Sequence, residues 1–301
     1  MALHEHLVPY VLRELAALSP SGDLSDVTSQ NIDRAMKDAF LRLDNDIMGQ
    51  GAEALGPSFL NDAMSQLGPA YAGSCALVSY YHSDSELLKV ACTGDSRAVL
   101  GRRNASGGLD TIPLSTDQTG KNPDEIARLQ TEHPNEPEML KDGRVLQLAV
   151  SRAFGDSRFK WGRKLQEQAR DRFFGPRIIE PLISPPYITA EPVITTTKIE
   201  PEKGDFVIMA SDGLWDNLTN EQAVGLVGRW LEEHDPSKPA APPDLAIAPA
   251  STAQPLVSVR RNPDPSKAYT KESPANEKHF VVRDESTTFL VHFNLNSLET
   301  S

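Results

Sequence analysis

Residues 74–101 read SCALVSYYHSDSELLKVACTGDSRAVLG and contain the clearest strand pattern in the chain. Two runs rich in Val, Leu, Tyr and Ala, 74–81 and 87–93, are separated by the polar residues 82–86, a pattern typical of a β-hairpin. A third apolar run, 97–101, follows after a short turn. The sequence therefore predicts three consecutive strands joined by tight connections.

Two amphipathic helices are predicted before these strands. Apolar residues form a helical stripe over 7–18, and a second stripe over 32–47 follows i, i+3, i+4, i+7 spacing with Thr28 or Ser29 as the cap. The Gly-, Pro- and Ser-containing segment 49–68 is predicted to be a loop.

Two further helices begin at recognisable caps. Asn122 precedes a proline at the first helical position, and Glu125 lies three residues after Asn122, as in a capping box. Thr219 and Gln222 have the same relationship before a second apolar stripe. Additional strands are predicted at 145–150, 206–210 and 287–293.

Strands and helices are thus interspersed through one predicted domain, 1–301, of the α+β class, with two layers of sheet flanked by helices. Segment 233–277 is rich in Pro, Ala, Ser and charge and shows almost no periodicity. Such a composition buries too little apolar surface to offset the entropy of ordering, so we expect a disordered insertion there.

Composition excludes several classes of protein. Lys and Arg number 30 against 42 Asp and Glu, a formal net charge of −12, which argues against nucleic-acid or anionic-membrane partners because these need basic patches. No apolar run approaches the ~20 residues of a transmembrane helix. Cys75 and Cys92 are the two cysteines, and we expect buried, reduced thiols rather than a disulfide framework.

Acidic residues cluster where predicted strands end or begin. Asp95 lies between two strands, Asp212 and Asp216 follow the strand 206–210, and Asp284 directly precedes the last strand. Each could be an ordinary turn residue, but carboxylates at strand ends are held rigidly and can converge. Carboxylate oxygens are the ligands that Mg²⁺ and Mn²⁺ prefer, and no His and Cys set offers a zinc-type alternative.

Six ordered motifs resemble the metal-dependent type 2C protein serine/threonine phosphatases. They are Gly73-Ser74-Cys75-Ala76, Thr93-Gly94-Asp95-Ser96-Arg97, Leu114-Ser115-Thr116-Asp117, Ser151-Arg152-Ala153-Phe154-Gly155-Asp156, Ala210-Ser211-Asp212-Gly213-Leu214-Trp215-Asp216 and Arg283-Asp284. The resemblance implies a four-layer α-β-β-α sandwich. It also implies a binuclear Mg²⁺ or Mn²⁺ centre, joined in some members by a third ion. A water bridging the two metals would attack the phosphorus of phosphoserine or phosphothreonine in a phosphoprotein substrate.

The resemblance also assigns residues. It implies that Asp212 and Asp284 are ligands of the binuclear centre, and that Asp95 and Asp216 belong to the third, weaker metal site. Segment 157–189 corresponds to the flap that helps choose substrates in the family. Arg97 and Arg152 could attract a phosphate, although structural pairing with carboxylates is the favoured interpretation.

The sequence departs from the family pattern in three places. Gln118 stands where the family usually has His, and Glu285 where it usually has Asn. The Asp-Gly-His motif that supplies the remaining ligands and a catalytic histidine is missing, since Asp-Gly occurs only at Asp142-Gly143 and Asp212-Gly213.

The missing motif is expected upstream of Met1, because the helix predicted over 7–18 resembles the helix that follows this motif in the family. We therefore expect an N-terminally truncated chain that lacks the first strands of the sandwich. Its catalytic and substrate-binding residues stay unassigned.

Short segments around Glu132-His133-Pro134 and Phe159-Lys160-Trp161 resemble the mitochondrial pyruvate dehydrogenase phosphatase branch. This implies a mitochondrial location and a mitochondrial phosphoprotein substrate; a cytoplasmic location is the alternative. The alternative function is a catalytically inactive, phosphatase-like module that binds partners. The sequence leaves the oligomeric state open.

Overall fold

The structure is a computed structural model that describes residues 3–19, 27–56, 59–233, 277–283 and 288–294. The helices are α1 Leu3–Leu18, α2 Ser29–Ala54, α3 Leu60–Tyr71, α4 Pro123–Glu132, α5 Ser157–Lys160, α6 Arg163–Phe173, α7 Asp212–Trp215 and α8 Asn220–Glu233. The strands are β1 Gly73–Ser74, β2 Ala76–His82, β3 Leu87–Thr93, β4 Arg97–Arg103, β5 Leu109–Pro113, β6 Leu140–Lys141, β7 Arg144–Val145, β8 Phe154–Gly155, β9 Val193–Lys198, β10 Phe206–Ala210, β11 Glu277–Arg283 and β12 Thr288–Asn294.

Two antiparallel sheets of three strands dominate the described chain. The first has the order β2-β3-β9, in which Val78 pairs with Ala91 and Val90 with Thr195. The second has the order β10-β4-β5. The predicted hairpin and the predicted third strand are therefore confirmed, but the third strand belongs to the other sheet. Strands β11 and β12 form an antiparallel pair, and β12 contacts β10.

The side chains of β3 alternate between two cores. Val90 and Cys92 point toward the second sheet and pack against Leu100 and Met209, whereas Ala91 points to the opposite side and joins the core beneath the first three helices. This alternation with a period of two is what a strand buried on both faces requires. The first sheet is thus covered by helices on one face and by the second sheet on the other.

The second sheet is covered in the same way on its outer face. Val99 and Phe206 pack there against Trp215 and against Ala223 and Val224 of α8. The order of layers is therefore helices, sheet, sheet, helix. This confirms the α+β class and the four-layer sandwich expected from the resemblance.

A buried lysine fixes the start of α2 on the first sheet. Lys89 of β3 is 2% exposed, and its Nζ donates to Ser29 Oγ and Asp33 Oδ1, both at 2.6 Å, and to Thr196 Oγ1 at 2.9 Å. Its ammonium group has three donors, and all three are used. These hydrogen bonds therefore fix the position of the start of α2 on the first sheet.

The predicted loop 49–68 is wrong in most of its length. Helix α2 continues to Ala54 and α3 begins at Leu60. Gly51, one of the glycines in this segment, is needed for helix packing. A Cβ on Gly51 would lie 2.7 Å from Ala70 Cβ and 3.1 Å from Trp161 Cζ2. Close helix contact therefore explains this glycine.

The predicted strand 145–150 is also wrong. Strand β7 ends at Val145, and the next two residues, Leu146 and Gln147, have positive φ angles of 48° and 78°. Side chains other than glycine seldom adopt this conformation, and it cannot continue a strand. Only isolated bridges, at Leu148 and Val150, follow.

Three of the predicted caps form. Thr28 Oγ1 accepts from the N–H of Asn31, and Asn122 Oδ1 accepts from the N–H of Asp124. Thr219 and Gln222 form the reciprocal capping box at 2.9 and 3.2 Å. The predicted capping role of Glu125 is wrong, because Glu125 is buried and pairs with arginines.

The insertion predicted at 233–277 lies outside the described residues except for its two ends, Glu233 and Glu277. No helix in the described ranges has the length and apolar content needed to cross a membrane.

Candidate metal centre

The turn that carries Asp95 joins β3 to β4 and is tightly packed. Gly94 has a φ of 103°, and a Cβ at this position would lie 2.3 Å from Cys75 Sγ. The Cys75 thiol in turn donates to Asp95 Oδ1 at 3.2 Å. The Asp95 carboxylate is therefore partly buried and held from one side by a weak donor.

Sheet register brings Asp212 to this turn. Strands β4 and β10 are antiparallel with Arg97 opposite Ala210, so Asp95 and Asp212 each lie two residues beyond the last pair, at the same end of the sheet. Burial raises the pKa of the Asp95 carboxyl above its ordinary value, and the nearby negative charges of Asp212 and Asp117 raise it further, against the lowering effect of the Cys75 thiol. Two of the predicted metal residues thus lie at the same end of the sheet.

Trp215 attaches the short helix α7 to the strand ends. Its Nε1 donates to the carbonyls of Ala210 at 2.9 Å and Arg97 at 3.1 Å. Asp212 begins this helix and Asp216 directly follows it, and both side chains are exposed. The indole therefore fixes the segment on which both carboxylates lie.

Arg97 pairs with the carboxylate of Asp117, which is not one of the predicted metal residues. Its Nε and Nη2 bind the two oxygens of Asp117 at 2.8 and 2.5 Å, and its Nη1 donates to Asn220 Oδ1 at 2.9 Å. These interactions with Asp117, together with the charges of Asp216 and Asp95, raise the pKa of Arg97 although burial opposes this. Structural pairing of Arg97 is confirmed.

Arg152 is likewise structural. Its Nε and Nη2 donate to Glu125 Oε1 at 3.0 and 2.6 Å, and its Nη1 to the carbonyl of Glu191 at 2.7 Å. Glu125 also accepts from Arg128 and from Ser151 Oγ. Burial alone would raise the pKa of Glu125, but these donors together lower it to about 2.

Both cysteines are free thiols, as predicted; Cys92 is buried and Cys75 partly buried. Burial raises the pKa of each thiol, so neither is a ready thiolate nucleophile. Cys92 Sγ donates to the carbonyl of Ser96 at 3.1 Å and thereby packs under the Asp95 turn.

The donor chemistry fits a hard divalent cation that keeps several water ligands. Asp95, Asp212 and Asp216 offer oxygen donors, and none of the three forms an ion pair with a basic residue in the described part of the chain. Within the described ranges, no three His, Cys, Asp or Glu side chains are grouped so that they could hold a metal ion by themselves.

Two expectations from the sequence fall on residues that the structure does not describe. The first is the ligand role of Asp284, which lies with Glu285 between β11 and β12 but outside the described residues. The second is the Asp-Gly-His motif expected upstream of Met1; Met1 itself also lies outside the described residues, which begin at Leu3. Both expectations stay predictions, and the catalytic residues stay unassigned.

A shallow cavity of about 420 Å³ adjoins this region. It is lined by Arg97, Trp215 and Asp216 and by the segment from Asn217 to Gln222 at the start of α8. Its walls are polar, which suits a solvated or charged group.

Two residues with clear roles escaped the sequence interpretation. Gln118 is 1% exposed and hydrogen-bonds to the strand end beside Asp95, whereas the sequence identifies it only as a departure from the family pattern. Glu125 was interpreted only as a cap. Their partners lie 24–27 residues away along the chain, so local patterns could not reveal them.

The family model described as "Protein phosphatase 2C" matches residues 9–254. A protein phosphatase 2C homolog of Schizosaccharomyces pombe is 46% identical over 76% of this chain and 52% of its own length. A mitochondrial [pyruvate dehydrogenase [acetyl-transferring]]-phosphatase 1 of Saccharomyces cerevisiae is 41% identical over 77% of this chain and 42% of its own. The chain therefore spans about half the length of these curated relatives.

Among solved structures, a serine-threonine phosphatase 2C from Toxoplasma gondii aligns with a TM-score of 0.49 and 21% identity. The alignment covers 76% of this chain and 68% of that one.

Proposed function

The chain belongs to the protein phosphatase 2C family, and from this premise we propose that it is part of a metal-dependent protein serine/threonine phosphatase. The reaction is hydrolysis of phosphoserine or phosphothreonine by water. The observation that carries the proposal is the register of β4 and β10, which places Asp95 and Asp212 at the same end of the sheet.

We propose Asp95, Asp212 and Asp216 as metal-binding residues in the described region, with Asp284 as a further ligand. A bound Mg²⁺ or Mn²⁺ would acidify a water molecule and neutralise charge on the phosphoryl oxygens. Two contacts of this chain would support that chemistry. Trp215 holds the segment that carries Asp212 and Asp216, and Arg97 binds both carboxylate oxygens of Asp117.

The catalytic histidine and remaining ligands implied by the resemblance have no counterpart among the 301 residues, because Asp-Gly-His does not occur. The second candidate function is a catalytically inactive module that binds partners. The two functions differ in whether a segment carrying Asp-Gly-His is joined to this chain in the working protein.

A mitochondrial phosphoprotein is the proposed substrate, with pyruvate dehydrogenase as its first candidate. Support comes from the printed names of the yeast relative and of its mammalian counterparts at 36–37% identity. The same printed names support a mitochondrial location, which is part of the proposal.

Segment 157–189 is the proposed substrate-facing flap. A polar cluster ties this segment to residues 133–136 after α4. Ser184 Oγ lies 2.7 Å from His133 Nδ1 and donates to Glu136, and Tyr187 Oη donates to the other oxygen of Glu136 at 2.7 Å.

The test is Mn²⁺-dependent release of phosphate from a phosphothreonine peptide, comparing this chain with one extended upstream by the corresponding Asp-Gly-His segment of a relative. We expect little or no turnover by the shorter chain and Asp212-dependent turnover by the longer one. Extension that restores no activity would favour the partner-binding function. Full activity of the shorter chain would show that other residues replace the missing ligands.

A further inference from the structure

We infer that Gln118 is a positioning residue for the Asp95 carboxylate, and that its amide sets the affinity of the metal centre without touching the ion. The inference rests on the proposed function, since it concerns the same carboxylates. It extends that proposal to a side chain outside the candidate ligand set.

The Gln118 side chain is buried, and both its amide oxygen and its amide nitrogen are hydrogen-bonded. Its Oε1 accepts from the N–H of Gly94 at 2.7 Å, and its Nε2 donates to the carbonyl of Cys92 at 2.9 Å. The backbone N–H of Gln118 also donates to the carbonyl of Gly94 at 2.9 Å. One residue therefore binds the end of β3 and the start of the turn at three points.

These three hydrogen bonds hold the backbone at Gly94 and thereby set the position of the next residue, Asp95. Cys75 Sγ closes the opposite side of the turn, where it leaves no room for a Cβ on Gly94 and donates to Asp95 Oδ1. The turn is thus enclosed between Gln118 and Cys75. Rotation of the Gly94 peptide after loss of Gln118 would carry Asp95 away from Asp212.

The side chain at position 118 must be neutral and must offer one hydrogen-bond donor and one hydrogen-bond acceptor. Leucine, of similar size, would leave the Gly94 N–H and the Cys92 carbonyl buried without partners, which is costly enough to make the turn rearrange. An uncharged imidazole offers one donor and one acceptor and can replace the amide. Residues that orient metal ligands in this way alter affinity by about 10–100-fold when removed.

The experiment is calorimetric titration of the whole chain with Mn²⁺ at pH 8. We expect Gln118→Leu to weaken Mn²⁺ binding about tenfold or more, and Gln118→His to stay within about threefold of the wild type. Equal affinities for wild type and Gln118→Leu, or equal losses in the Leu and His variants, would overturn the inference.

Gln166→Leu is the matched control. Gln166 is also buried and its Nε2 donates to two backbone carbonyls, those of Trp161 at 2.6 Å and Arg158 at 3.1 Å, but it lies in α6. It should lower the midpoint of thermal unfolding without changing Mn²⁺ affinity. If it weakens Mn²⁺ binding as much as Gln118→Leu does, general destabilisation explains the result and the inference is wrong.

A double-mutant cycle tests whether Gln118 acts by positioning Asp95 or only by stabilising the fold. In an Asp95→Asn background, Gln118→Leu should cause little further loss of Mn²⁺ affinity, because its effect passes through Asp95. Additive losses would contradict this. A wild-type chain that binds no Mn²⁺ would overturn the proposed metal centre itself, a result distinct from Mn²⁺ binding that ignores Gln118.

Discussion

Arg152 and Glu125 form a buried, two-nitrogen ion pair, with Nε and Nη2 at 3.0 and 2.6 Å from the same carboxylate oxygen, Oε1. The other oxygen accepts from Arg128 and Ser151. This pair joins α4 to the segment that precedes β8. Ser151 and Arg152 are therefore paired with Glu125 and stabilise the fold, so Arg152 is not a free phosphate-binding group.

Removing this carboxylate should be strongly destabilising. Glu125→Gln leaves Arg152 buried without its counter-charge, so we expect a loss of about 3–5 kcal/mol in the free energy of unfolding. Denaturant titration at pH 7 measures it. Glu132→Gln is the control, because Glu132 pairs with the same Arg128 at an exposed site and should cost less than about 0.5 kcal/mol. Similar losses in both variants would contradict the account.

The same group predicts an acid dependence. The pKa of Glu125 falls from 4.5 to about 2 in the folded chain, so its contribution is complete above pH 4.5 and is lost as the pH falls toward 2. Stability of the wild type should therefore decline across this interval, and Glu125→Gln should flatten the decline. Parallel pH profiles for the two proteins would refute the assignment.

Asp156 should behave in the opposite way. Burial, with a smaller effect from Asp44, raises the pKa of Asp156 from 3.8 to about 6 despite Lys160 and Arg158. Because the folded pKa lies above the unfolded one, ionisation destabilises the fold as pH rises from about 4 to 6. Asp156→Asn keeps a residue tolerant of the positive φ of 54° and should raise stability above pH 6, with little change below pH 4. A stability gain equal at pH 4 and pH 8 would exclude this explanation.

Two glycines of α2 provide a matched test of helix packing. Gly51→Ala should destabilise by about 1–3 kcal/mol, because its Cβ would overlap Ala70 and contact Trp161. Gly49 is exposed with nothing within 4 Å of an added Cβ, so Gly49→Ala should stabilise by up to about 1 kcal/mol. Thermal unfolding of the two variants should shift in opposite directions; shifts of the same sign would be inconsistent with the packing of α2 on α3.

Features determined by neighbouring residues were predictable from the sequence. The β2–β3 hairpin and the Thr219–Gln222 capping box depend on side chains only a few positions apart. Features that depend on distant partners were not. Glu125 had the correct spacing for a cap, but Arg152 offers a stronger interaction in the folded chain.

The candidate site was predictable in part for the same reason. The strand ends carrying Asp95 and Asp212 were recognisable separately, as were the six motifs. Their proximity depends on β10 pairing with β4 across more than a hundred residues, which periodicity does not reveal. The contribution of Gln118 required the coordinates, because its amide acts on a backbone turn and leaves no pattern in the sequence.

The central claim is that Asp95 and Asp212 form a divalent-metal site. The sharpest test is calorimetric titration with Mn²⁺ of the wild type, Asp212→Asn and the control Asp110→Asn. Asp110 lies near the start of β5 opposite Arg102, at the other end of the sheet from Asp95, and accepts a hydrogen bond from Asn104. The account predicts measurable Mn²⁺ binding by the wild type and the control, and binding weakened about tenfold or more by Asp212→Asn. Absence of binding heat in the wild type, or equal affinity in all three proteins, would contradict it.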